Sequence, residues 1–177
     1  MRSFGSAVLF CLIWSGARAE TIDRVAVVVN QQPIKASDIL EDIRLTDFIN
    51  GDKLVFDLAA EKQAASRLID QTILRREIAA GRYGAPDPSE VDSLWKQIRG
   101  RYPSEDAFRK ALADYGLTEK QLRDRLGWQV TVLQFVDLRF GNGPVQGKPN
   151  GTNQQFFDWL NETRMQAAIV YRVEALK

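Results

Sequence analysis

The chain has 177 residues, with 24 Lys and Arg against 23 Asp and Glu, no His and one Cys, a length that favours one domain with a hydrophobic core of its own. Without His, the Ser-His-Asp and Cys-His nucleophilic arrangements are impossible, as are zinc sites that need imidazole. The near balance of charge argues against nucleic acid, which is gripped through a clustered basic excess.

Residues 1–19 read as a secretory signal peptide. Arg2 is the basic start, Ala7 to Trp14 an apolar run, and Ala17-Arg18-Ala19 a cleavage site with the cut expected after Ala19. The run falls well short of the roughly 20 apolar residues that cross a bilayer, so no membrane span is expected after cleavage. Cleavage also removes Cys11, the only cysteine. What remains, 20–177, is expected as a single domain without disulfides, and its expected setting is the bacterial periplasm. No GxGxxG, P-loop, HExxH or EF-hand spacing occurs, so neither cofactor nor metal is expected, and the balance moves from enzyme to binding module.

The first element predicted is a strand, Arg24 to Val29, with Val25, Val27 and Val29 on one face and Ala26 and Val28 on the other. Asn30-Gln31-Gln32-Pro33 reads as a turn, and Ile34 resumes a short extended piece that makes a hairpin. Asp38 with Glu41, or Ser37 in its place, caps a first helix to about Ile49, ended by Asn50-Gly51-Asp52. A longer helix runs from about Asp57 to Ala80, with Leu58, Ala65, Leu68, Ile69, Ile73 and Leu74 at helical spacing. Asp87-Pro88-Ser89-Glu90 starts a third helix that carries Val91, Leu94, Trp95 and Ile98. Ser104 caps a fourth, with Phe108, Leu112 and Tyr115. Thr118 and Gln121 open a fifth, to about Phe140, which bears apolar residues on several sides, Leu133 among them, and is therefore expected to sit centrally. Gly141 to Gly151 reads as a linker rich in Gly and Pro. A sixth helix follows with Phe156, Phe157, Trp159 and Leu160 inward, and then a strand, Ala168 to Val173.

An isolated strand leaves its backbone N–H and C=O groups unpaired. The two terminal runs are therefore expected to pair with each other, antiparallel. The fold class expected is mainly α: about six helices, with a small antiparallel sheet made by the N-terminal hairpin and the C-terminal strand.

Taken in order, Asp23 to Asn30 with Ile34…Ser37-Asp38, then Arg67-Leu68-Ile69-Asp70…Leu74…Gly81, then Phe108…Leu112…Gly116-Leu117-Thr118…Leu122-Arg123, resemble the N-terminal region of SurA-type periplasmic chaperones. Trp159-Leu160…Arg164…Ala167-Ala168-Ile169-Val170-Tyr171 is similar to that family's C-terminal helix and strand. The chain departs from the family where a parvulin prolyl isomerase domain usually lies, since only the 141–151 linker occupies that interval. The resemblance therefore implies the chaperone core without the isomerase, holding extended, aromatic-rich segments of unfolded outer-membrane proteins in an apolar groove, with no catalytic residue.

The candidates for lining such a groove are Trp95, Tyr102, Phe108, Tyr115 and Trp128. Core packing is the competing reading for Trp95, Phe108 and Trp128, which fall on helical apolar stripes, whereas Tyr102, beside Pro103 in a loop, has the better claim to exposure. Two other functions stand beside this one. One is prolyl isomerisation by family association, and the other is an adaptor that binds one dedicated partner.

Overall fold

The computed structural model describes residues 23–81, 83, 85–141 and 149–177, with the backbone alone for 149–151. The expected leader, 1–19, and residues 142–148 of the expected linker lie outside the described residues. In chain order the elements are β1 (Val25–Val29), β2 (Gln32–Lys35), α1 (Ala36–Asn50), α2 (Leu58–Ala80), α3 (Pro88–Arg99), α4 (Glu105–Asp114), α5 (Glu119–Phe140), α6 (Pro149–Gln166) and β3 (Ile169–Tyr171), followed by a 3₁₀ turn at Glu174–Leu176. The fold is mainly α with a small three-stranded antiparallel sheet, as the sequence pattern predicts.

The sheet has the order β2-β1-β3, so the first strand is its centre. Val28 lies opposite Val170 and Val27 opposite Tyr171, and the Asn30 amide donates to the Ala168 carbonyl at 2.9 Å. The hairpin is tighter than the expected four-residue turn. Its connection is Asn30-Gln31 alone, both with positive φ (47° and 73°). This is the conformation that matches the right-handed twist of the flanking strands, and it lets Gln32 and Pro33 pair as part of β2. The strict alternation expected for β1 also fails. The register slips between Val25 and Val27, and Ala26, Val27 and Val29 are all buried, because a bulge turns consecutive side chains toward the same side.

α1 starts earlier than its expected cap. Lys35 is the residue before the helix, and Asp38 lies three positions later, its carboxylate accepting from the Lys35 amide at 2.8 Å. Ser37 Oγ donates instead to Asp23. The caps at Asp87, Ser104 and Thr118 are those read from the sequence, and α2 is capped by Asp57, the residue from which it is expected to run. Gly51 closes α1 at φ 78°, where a side chain would be strained. α6 starts at Pro149, inside the segment expected to be linker.

Two apolar clusters form the core. One joins the sheet, α2, the first half of α1, Phe135 of α5, and Leu160 of α6. The other joins Leu45 and Phe48 of α1 to Ile98, Phe108, Leu112, Leu117, Leu122 and Leu126. α1 and α5 contribute to both, so α5 holds the central place expected for a helix that is apolar on several sides. Three stripe positions are exposed: Leu58, Leu133 and Phe157, at 50%, 63% and 55%. Helical period places a residue on a face, but the neighbour that would cover that face is not part of the pattern.

Candidate functional site

Where the two clusters meet, α1 carries a buried charge. Asp42 is 2% exposed and is held by arginines from two other helices. Arg67 of α2 donates from Nε at 2.7 Å to Oδ2, and Arg125 of α5 donates from Nη1 at 2.8 Å to Oδ1. Arg67 Nη2 also lies 2.7 Å from Oδ2. One carboxylate thus ties three helices, and its desolvation is offset by charge-assisted hydrogen bonds. Arg125 Nε is buried without a partner, so this junction holds more guanidinium donors than acceptors.

Beside the junction lies a cleft of about 500 Å³ among α2, α3, α5 and α6. Its apolar walls are Leu74, Leu94, Trp128, Val132, Leu133, Phe156 and Leu160, with Arg67, Asp70, Gln71, Arg125 and Gln129 on the polar side. Leu133, at 63% exposed, presents a bare leucine to it. Asp70 takes a hydrogen bond from Arg164 at 2.6 Å, yet burial outweighs that pairing and raises its carboxyl above the usual range.

Trp128 sits where this cleft meets two others, of about 230 and 720 Å³. The Arg75 guanidinium lies 4.2 Å from the centre of its ring. Arg75 also reaches a fourth cleft, about 710 Å³, between α2 and the hairpin turn. Burial, followed by the like charge of Arg125, lowers the Arg75 pKa from its ordinary value.

Of the five expected groove residues, four lie together away from this cleft, as packing in the second cluster. Phe108 is fully buried, which corrects its expected role: no client can reach it. Tyr102 is not the free loop residue that Pro103 suggested, because its ring stacks on Phe48 at 6.0 Å with 10° between planes. Burial accordingly raises its hydroxyl pKa, with Tyr115 adding and Arg101 opposing. Tyr115 meets Phe48 edge-on at 5.4 Å and donates its hydroxyl to the Asp52 carbonyl at 2.5 Å. Trp95 packs edge-on against Phe108 at 5.3 Å, with Arg123 over its other side at 4.2 Å. Trp128 alone of the five borders the apolar cleft. Sequence reasoning missed the residues around it, Arg75, Leu74, Val132 and Phe156. The one signal pointing there was the surplus of apolar faces on α5.

No protein-family model matches the chain, and no curated protein matches it at a significant level. Among the described residues no helix is long and apolar enough to cross a membrane, and no group of His, Cys, Asp and Glu is arranged to hold a metal ion.

Proposed function

We propose that the protein is a binding module of the SurA chaperone type, acting in the periplasm without catalysis on extended, apolar segments of unfolded outer-membrane proteins. The observation that carries this reading is the cleft beside Trp128. It is wide enough for side chains of a peptide, walled by Leu, Val, Phe and Trp from four helices, and open at Leu133. An apolar surface of this kind left facing solvent marks an interaction site, and walls of branched and aromatic side chains suit varied apolar clients.

The chain without residues 1–19 is expected to bind several unrelated unfolded outer-membrane proteins and to suppress their aggregation. Leu133→Asp is expected to weaken that binding by about tenfold or more while leaving the unfolding transition in place, since Leu133 contributes little to the core. Failure to bind any client, or binding that Leu133→Asp leaves intact, removes the proposal. Tight binding to a single partner only would favour the adaptor. Acceleration of a proline-limited refolding step, which otherwise takes tens of seconds, would favour an isomerase.

A further inference from the structure

The three tryptophans among the described residues share one arrangement. Each carries an arginine against its ring: Arg123 on Trp95 at 4.2 Å, Arg139 on Trp159 at 4.6 Å and Arg75 on Trp128 at 4.2 Å. In two of them the arginine also holds a carboxylate. Arg123 pairs with Asp92 at 3.0 Å, and Arg139 pairs with Glu77. In the third, Arg75 makes neither an ion pair nor a side-chain hydrogen bond with any described residue.

The carboxylates nearest to hand do not fill that role. Asp92 is taken by Arg123, Asp124 by Lys120, and Asp38 by the Lys35 amide. Glu41 borders the same cleft as Arg75 without pairing with it. Lying over the Trp128 ring, the Arg75 guanidinium keeps its N–H donors unspent, and such a fork can grip a carboxylate through two parallel hydrogen bonds. No described carboxylate pairs with it to offset its desolvation, in keeping with its lowered pKa. Trp128 belongs to the wall of the apolar cleft, while Arg75 opens onto three further clefts. A chain that runs from the apolar cleft past Trp128 into either adjoining cleft therefore reaches Arg75.

We infer that Arg75, held on Trp128, binds an Asp or Glu side chain of the client, so that the preferred segment is an extended peptide with an acidic residue a few positions from large apolar ones. This rests on the peptide-binding reading of the cleft and adds an acidic requirement to it. The occupant is an internal acidic side chain and not a chain terminus, because the clefts run on beyond Arg75 on more than one side.

The test uses the whole protein without residues 1–19 and three synthetic peptides of one aromatic-rich sequence. The first carries a central Glu and blocked ends, the second carries Gln there with blocked ends, and the third carries Gln with a free C-terminal carboxylate. Calorimetric titration at low salt is expected to give about tenfold tighter binding for the Glu peptide than for either Gln peptide. The preference should shrink in strong salt. Arg75→Gln should reduce the ratio between the blocked Glu and Gln peptides to less than about twofold, and Arg75→Lys should restore part of it, a point charge without the fork. Equal binding of the blocked Glu and Gln peptides, a preference that survives Arg75→Gln, or a preference for the free C-terminus overturns the inference while leaving the cleft as a peptide site. Absence of binding by all three peptides overturns both.

Discussion

Asp42 shows how much one residue can hold. It is the only buried charged side chain among the described residues, and it joins α1 to α2 and α5 through Arg67 and Arg125. Removing it strands two guanidinium groups in a junction that already holds an unpartnered Arg125 Nε. Asp42→Ala is therefore expected to destabilise the protein by about 3–5 kcal/mol, read as a fall in the urea midpoint. A loss under about 1 kcal/mol would mean that the arginines find other partners or water. Nothing in the helical period separates Asp42 from the other acids of α1, because its neighbours Ile39 and Ile43 mark a buried face without saying that a charge on that face has mates 25 and 83 positions away. The same limit accounts for Phe108 and Tyr102. Their sequence neighbourhoods show that they are apolar or near a loop, while Phe48, the ring on which Tyr102 stacks, lies on another helix.

At the scale of elements, the local signals held well. Three of the four helix starts for which a cap was read lie at the residues expected, because a cap is an exchange between a side chain and an amide two or three positions on. α1 is the exception: the hairpin delivers Lys35 directly into the helix, and Asp38 serves from inside. The joint between α3 and α4 supplies a pH test. Arg99 near the end of one helix donates from Nε to Glu105 at the start of the next at 2.7 Å, and this bond, with smaller help from the charges of Arg99 and Arg109, holds the Glu105 carboxyl below its ordinary 4.5. A lowered carboxyl pKa contributes stability that is present above the unfolded value and is lost as pH falls through the folded one. Asp87 and Asp23 carry the same sign through Ser89 and Ser37, and Asp70, raised by burial, carries the opposite sign. The urea midpoint is expected to fall below about pH 4.5, and Glu105→Gln should flatten part of that fall. An unchanged pH profile in the variant would mean that the joint contributes nothing to acid sensitivity.

For the whole molecule, the sheet is the feature that ties the parts together. β1 pairs on one side with β2, reached through a two-residue turn, and on the other with β3, just before which the Ala168 amide donates to the Asn30 side chain across 138 positions. Ending the chain after Ala168 removes β3 and the buried Leu176 and leaves an open edge on the central strand. The shortened protein is expected to lose its single cooperative urea transition and to aggregate, and a transition at the original midpoint would show that β3 is dispensable. The pairing of the two ends was readable because two orphan strands in a helical chain have few other ways to satisfy their backbones. The cleft was not, since it is made by what four helices leave uncovered between them. The position of β1 also bears on the order of events. Its hairpin can form as soon as Lys35 exists, but the strand at the centre of the sheet stays half-paired until Ile169–Tyr171 has been made. From the closing of the hairpin until β3 emerges, the growing chain therefore carries an open strand edge that can pair with any other extended segment in reach.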